Sequence, residues 1–250
     1  MLTQGRFESG LAAVAAASTM DELSRVLYGL CRLYGLANLV YHAIHLPPFS
    51  TENPILLLTY DEEWVRLYKQ RDYFRIDPVV SGGIRGFLPL DWGDVDHSSL
   101  PARRFFSEAD KFGVGRQGIT MPIRGPAGER ALFTATSNAT DADWREQRVS
   151  YLRDFQTLGH FVHDRAVALG NFHAGVPTRP LSRRELECLQ ALAQGWVVKQ
   201  VADRLGLADV SVRLYLRSAR HKLQAPNTAH AIATATALEL IKPRFHPAQP

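Results

Sequence analysis

The chain has 250 residues, 46% of them apolar, which is enough for two ordinary domains with proper cores; a net charge of +4 by itself excludes little. Its two cysteines, Cys31 and Cys188, sit among apolar neighbours in helical patterns, which excludes a disulfide framework or a thiolate metal site and fits a reducing compartment. No run approaches the roughly eighteen apolar residues of a membrane span, and no basic segment followed by an apolar block opens the chain, so the expectation is a soluble, cytoplasmic protein without membrane contact.

In chain order, the first elements are helical. Phe7–Ala17 is alanine-rich, and Thr19 with Glu22 makes a capping box ahead of Leu23, Val26, Leu27, Leu30 and Leu33, an apolar stripe at helical spacing. Ala37–Ile44 and Pro54–Thr59 are short apolar runs that read as strands, with Pro47, Pro48 and Ser50 in the loop between them. Tyr60–Lys69 turns helical again. Gln117–Ile123 and Arg130–Thr136 read as strands joined across Gly125, Pro126 and Gly128. Asp143–Leu169 is the longest periodic helix, and its Trp144, Val149, Leu152, Phe155, Leu158, Phe161 and Val162 are expected to cover a sheet. The order predicts an α+β domain over residues 1–169, a small antiparallel sheet flanked by helices.

Gly170–Pro180 carries two glycines and two prolines without periodicity and reads as a linker. Residues 181–250 are helical and basic. From Gly175 onward there are eleven Lys/Arg against five Asp/Glu, leaving eighteen against twenty of the chain's 29 and 25 for the residues before it. That asymmetry is the electrostatic footprint of a terminal nucleic-acid module. Ser182 and Glu185 form a capping box at the start of Leu181–Gln194, and Val198–Leu205 is a short second helix. Gly206 then turns the chain into Asp209–Leu223, and Thr228–Ile241 closes an all-α domain of four helices.

In Asp209–Leu223, Val212, Leu216, Ala219 and Leu223 form one apolar stripe, while Arg213, Arg217 and Arg220 repeat at i, i+4 and i+7 on another. A basic stripe on an amphipathic helix is also what a solvated face looks like. The order of short helix, glycine turn and basic helix is nevertheless that of a helix-turn-helix, whose second helix reads the major groove. Arg213 and Arg217, nearer the helix start, are the candidates for base contact, and Arg220 and Lys222 for phosphates. Reading of paired half-sites predicts a dyad-symmetric DNA site and a homodimer, with Asp143–Leu169 and Thr228–Ile241 as candidate interfaces.

Tyr60, Trp64 and Tyr68 lie at i, i+4 and i+8, so a helix places them on one face; Asp77-Pro78 and Trp92 follow. Such a row is commonly plain core, but two phenols, two indole N–H groups and a carboxylate all need partners if buried. A small ligand with amide and carbonyl groups would supply them, and the residues alone leave both readings open.

The series Tyr60, Trp64, Tyr68, Asp77-Pro78, Trp92 and Gly118, with the later pattern Glu185, Leu189, Gly195, Val201-Ala202, Leu205, Val212, Lys222-Leu223 and Ala231, resembles the LuxR-type quorum-sensing transcription regulators over roughly Leu23 to Ile241. The resemblance implies an N-terminal α-β-α sandwich that binds an N-acyl-homoserine lactone. It implies that Trp64 donates to the lactone carbonyl, Asp77 accepts the amide N–H and Tyr60 bonds the amide carbonyl. Tyr68 and Trp92 would wall the pocket, and Thr134 would stand near the acyl chain. The chain departs from the family at Trp196-Val197, where a small polar pair is common. It departs also at Ser211 in the DNA-contacting stretch, usually Thr, and at Asn227-Thr228, usually Asn-Arg.

Two rival functions are weaker. A lactone-processing enzyme needs clustered histidines and carboxylates, and neither His42/His45 nor His160/His163 with Asp164 supplies a metal set. No G-x-S-x-G elbow or Walker lysine is present, so no catalytic residue, cofactor or metal is expected. A response regulator would alternate strands and helices in its first half, which this chain does not. A regulator that ignores lactones, or that answers a different small molecule, remains the nearest alternative.

Overall fold

A computed structural model describes residues 2–46, 55–126, 128–171 and 179–242. Apart from Pro47–Phe49 and Gly125–Gly128, the chain divides into one compact unit ending at Phe172 and another beginning at His173. The linker expected over Gly170–Pro180 is described only at 170–171 and 179–180. The expected loop with Pro47, Pro48 and Ser50 lies outside the described residues.

The first unit is built on one antiparallel sheet. Its strands are β1 (Asn38–His45), β2 (Ile55–Leu58), β3 (Leu90–Asp91), β4 (Gln117–Arg124) and β5 (Arg130–Ser137), in spatial order β2-β1-β5-β4-β3. Pairing sets Val40 opposite both Leu58 and Thr134, and Thr134 opposite Thr120. Successive side chains point to opposite faces. Leu39, Tyr41, Ala43, Ile119, Met121, Ile123, Ala131, Phe133 and Ala135 therefore join one core, packed with α1 (Leu2–Ala16), α2 (Met20–Tyr34) and α6 (Asp141–Leu169). The intervening Val40, His42, Thr120, Leu132 and Thr134 face the other way. That second face is covered by α3 (Glu62–Gln70), α4 (Pro78–Arg85) and α5 (Leu100–Lys111), where Trp64 of α3 and Phe105 of α5 join Tyr73 and Trp92 from the short turns between the helices in a smaller core. The result is the expected α-β-α sandwich.

Local chemistry explains the helix ends. Thr19 accepts the Glu22 N–H, while Glu22 reaches back to the Ser18 N–H and not to Thr19, a box displaced by one residue. Asp77 caps α4 and Pro78 occupies its first turn, a start signal that the sequence carried at Asp77-Pro78. Ser99 caps α5. Neither α4, α5 nor β3 was expected: α4 contains Gly82-Gly83, α5 is mostly polar, and β3 is two residues long. The glycines are there because α4 lies close to the sheet, where a Cβ on Gly83 would stand 2.7 Å from the Leu132 side chain.

Two expectations need correction. The α3 helix begins at Glu62, behind an Asp61 cap, so Tyr60 precedes the helix and does not share its face. In α6, Trp144, Phe155, Leu158 and Val162 are buried as expected, but Val149 is 69% exposed and Leu152 and Phe161 also face solvent. The covering face runs instead through Tyr151, Gly159 and Ala166, with Gly159 against the Phe133 ring. Over 29 residues the apolar positions fit more than one stripe, and the sheet selects the one with small residues.

Among the described residues, the second unit has the expected four helices: α7 (Arg183–Ala193), α8 (Val198–Leu205), α9 (Asp209–Lys222) and α10 (Thr228–Ala237). The Ser182 and Glu185 capping box is reciprocal, and Gly206 ends α8 at a φ of +63°, where a side chain would be strained. Cys188, Leu189, Val201, Val212, Leu216, Ala219 and Leu223 fill the core, closed by Ala231 and Ala235 of α10. Both cysteines are buried and free. No helix among the described residues is long and apolar enough to cross a membrane.

Gly118 makes the fold testable at the point where it shapes the second face. A Cβ there would lie 2.5–2.9 Å from the Trp92 indole. Gly118→Ala is expected to cost about 1–3 kcal/mol of stability in urea denaturation, because a rigid ring must shift.

Candidate functional site

Between the second face of the sheet and the layer of α3, α4 and α5 lies a cavity of about 500 Å³. Tyr60, Trp64, Tyr68, Asp77, Trp92 and Thr134 all line it, together with an apolar lining that includes Val40, Leu58, Val79, Val80, Phe105 and Leu132. Trp64 and Tyr68 come from α3, Asp77 from the start of α4 and Thr134 from β5, so the cavity exists only once the sheet and the helical layer have met.

Asp77 serves two purposes. Its Oδ1 accepts the Val79 and Val80 backbone N–H groups at 2.8 and 3.2 Å, capping α4, and its Oδ2 accepts the Tyr68 hydroxyl at 2.9 Å. Burial pushes the carboxyl up to about 6, against the opposing effect of those three donors. Burial, followed by the nearby Asp77 charge, raises the Tyr60 and Tyr68 phenols far above their ordinary value, so both remain neutral donors at any physiological pH. Trp64 is 2% exposed and packs edge-on against Tyr68 at 5.8 Å. Its indole N–H makes no hydrogen bond among the described residues.

A relay of hydroxyls runs along the sheet floor. Trp92 Nε1 donates to Thr120 Oγ1 at 3.1 Å, and Thr120 Oγ1 lies 3.0 Å from Thr134 Oγ1. An indole can only donate. Thr120 is fully buried, and the hydrogen bond it shares with Thr134 can have either hydroxyl as the donor.

In the second unit, Val212, Leu216, Ala219 and Leu223 are buried, as the stripe on α9 predicted. The opposite face carries Val210, Arg213, Leu214, Arg217 and His221, all exposed, and neither arginine forms an ion pair among the described residues. Ser211 is half-buried at the helix start. Arg220 is turned aside and its guanidinium donates to the Pro226 carbonyl. Lys222 Nζ donates to Glu185 Oε2 at 2.8 Å and to the Pro180 carbonyl at 3.2 Å.

Residues 19–166 match the autoinducer binding domain family, and residues 179–235 match the family described as bacterial regulatory proteins, luxR family. The chain belongs to the LuxR family of transcriptional regulators. The transcriptional activator protein RaiR of Rhizobium etli is 51% identical over 183 residues, covering 73% of this chain and 76% of that protein. VanR of Vibrio anguillarum, another transcriptional activator protein, is 29% identical over 220 residues, covering 86% and 89%. Among solved structures, SdiA of Escherichia coli has the same fold, with a TM-score of 0.66 at 19% identity over 94% of this chain and 97% of that one. A structure of SdiA in complex with octanoyl-rac-glycerol gives 0.67, also at 19% identity, over 93% of each chain. This LuxR-family chain is therefore a quorum-sensing transcriptional regulator with an autoinducer-binding domain and a DNA-binding helix-turn-helix, and not an enzyme.

The six cavity residues named from the sequence come together in this LuxR-family fold, whereas the five named on the DNA side separate. Arg213 and Arg217 share the outer face with Ser211 at its margin, and Arg220 is engaged with the turn before α10. Lys222, expected at a phosphate, forms an ion pair with Glu185 while keeping part of its side chain in solvent. Three residues after Ala219, Lys222 borders the buried stripe, where the carboxylate of Glu185, 3% exposed, needs a cation. Burial would raise Glu185, but hydrogen bonds from Lys222, Ser218 and the Ser182 N–H outweigh it and hold the carboxyl below its ordinary value. Thr120 and Phe74 went unnamed from the sequence, and His42 was weighed only as a metal ligand, although a threonine or histidine within an apolar strand was the available signal. The unusual Trp196 also finds its reason: the Arg204 guanidinium stacks 4.4 Å from its ring centroid.

Two measurements follow from these charges. Asp77 holds its proton in the folded chain up to about pH 6 but releases it near 4 when unfolded, so ligand-free stability falls as pH rises through that window. Asp77→Asn keeps a capping oxygen and removes the charge. The ligand-free variant is expected to exceed the wild type by on the order of 2–3 kcal/mol at pH 7.5 and to match it near pH 4, read by urea denaturation at each pH. Lys222→Ala strands the Glu185 carboxylate and is expected to cost about 2–3 kcal/mol, less than a fully buried pair because Lys222 keeps some solvent contact. The unfolding midpoint in the same assay measures that loss.

Proposed function

We propose that this regulator senses an N-acyl-homoserine lactone in the cavity of its first unit and, as a cytoplasmic homodimer, binds a dyad-symmetric DNA site through α8 and α9. The observation that carries the reading is the convergence in one apolar cavity of groups matching the polar atoms of such a ligand. Trp64 is the donor for the lactone carbonyl and Tyr60 the donor for the amide carbonyl. Asp77 is the acceptor for the amide N–H: three donors already occupy it, and a carboxylate has about four acceptor sites, so one is left. Thr134 offers its hydroxyl hydrogen to an oxygen on the acyl chain. Exposed Arg213 and Arg217 supply guanidinium forks for guanine O6 and N7 or for phosphate.

The cavity is adjacent to Asp77 and to the capped end of α4, so a bound ligand adds contacts to the core of the first unit. At a hundred times its dissociation constant, such a ligand stabilises the fold by about 2.7 kcal/mol. An acyl glycerol is the second reading, since the fold also occurs in SdiA in complex with octanoyl-rac-glycerol; its hydroxyls would then stand where the amide N–H does.

Ligand-free protein is expected to melt higher in the presence of at least one lactone from a series running from butanoyl to dodecanoyl chains. Trp64→Phe should weaken that ligand about tenfold, the loss of one buried hydrogen bond. No shift with any lactone, together with acyl glycerol in a mass spectrum of the organic extract, overturns the lactone assignment.

A further inference from the structure

The outer face of α9 is not simply basic. Val210 is 67% exposed and Leu214 59%, and they alternate along the helix with Arg213 and Arg217. Val210 and Leu214 lie at i and i+4, as do Arg213 and Arg217, so two apolar and two cationic side chains form adjoining stripes on the same exposed surface. The core of the second unit already has its stripe in Val212, Leu216, Ala219 and Leu223, so Val210 and Leu214 do not contribute to holding the helix in place. The first turn of α9 has no side-chain cap and carries this apolar pair at the end of the helix that enters a groove.

We propose that Val210 and Leu214 read the C5-methyl groups of thymines in the major groove, beside guanines read by Arg213 and Arg217. This rests on the DNA-binding role of the helix-turn-helix and names what its apolar stripe recognises. The charge of the neighbouring arginines selects the occupant, because a surface of two guanidinium groups around two aliphatic side chains complements a polyanion with apolar groups on its base edges. The major groove presents such groups only as thymine methyls. One α-helical turn rises 5.4 Å and one base-pair step about 3.4 Å, so side chains four residues apart reach bases about two steps apart. The preferred half-site therefore contains thymines about two steps apart, interleaved with guanines.

The test uses the full chain, purified from cells supplied with a mixture of N-acyl-homoserine lactones, and a duplex selected by that protein from a randomised pool. Replacing one thymine at a time by uracil removes only the methyl group. At two positions of each half-site, the replacement is expected to weaken binding about fourfold, the transfer free energy of one buried carbon. Leu214→Ala is expected to be indifferent to uracil at one of those positions, Val210→Ala at the other, and both variants should bind scrambled duplex as the wild type does. Arg213→Ala serves as the contrast: it should relax the choice of guanine while keeping the response to uracil. Uracil without effect at every position overturns the inference, as does a Leu214→Ala protein that keeps the full thymine preference. Should no sequence be enriched from the pool, the assignment of α9 to base reading falls with it.

Discussion

A carboxyl group buried beside an apolar cavity is the constraint on which the first unit turns. Asp77 caps α4, and α4 carries Val79 and Val80 into the cavity wall and Gly83 onto the sheet. The same group accepts the Tyr68 hydroxyl, which fixes α3 relative to α4. One residue thus joins two helices over the second face of the sheet and keeps an acceptor directed at the space between them. Its cost is visible in the titration, since burial favours the neutral acid while all three donors favour the anion. A further N–H donor brought into the cavity would favour the anion as those three do.

The surrounding cavity follows from a sheet buried on both faces. On the face toward α1, α2 and α6 the strand residues are aliphatic or aromatic and pack solidly. On the other face the corresponding positions include His42, Thr120 and Thr134, and the covering helices are short and rich in aromatic side chains. Large planar rings separated by short helices do not fill space as a long helix does, and the polar floor restricts what else can. Hydrogen bonds from Trp92 to Thr120 and between Thr120 and Thr134 tie that floor together.

The second unit solves a different problem, that of exposing one helix face while holding the opposite one with a small core. Alanines at 202, 219, 231 and 235 let the four helices approach closely. The Glu185 carboxylate ties the start of α7 to the end of α9 through Lys222, while also closing the capping box with Ser182. Because Lys222 is paired with Glu185, Arg213 and Arg217 are the exposed arginines of α9 that form no ion pair among the described residues.

What the sequence by itself determined were features coded within a few residues. These include the caps at Thr19 and Ser182, the order of helices ending in α9, the buried stripe Val212 to Leu223, and the residue types of Tyr60, Trp64, Tyr68 and Asp77. Periodicity and capping depend on neighbours three or four positions away, so they can be read along the chain. Only the tertiary structure decided which face of α6 meets the sheet, that α4 and α5 roof a cavity, that Trp92 and Thr134 are joined through Thr120, and that Lys222 turns inward to Glu185. Each of these is a choice between partners distant in sequence, settled by the volume to be filled or the buried charge to be paired. No local pattern carries that information.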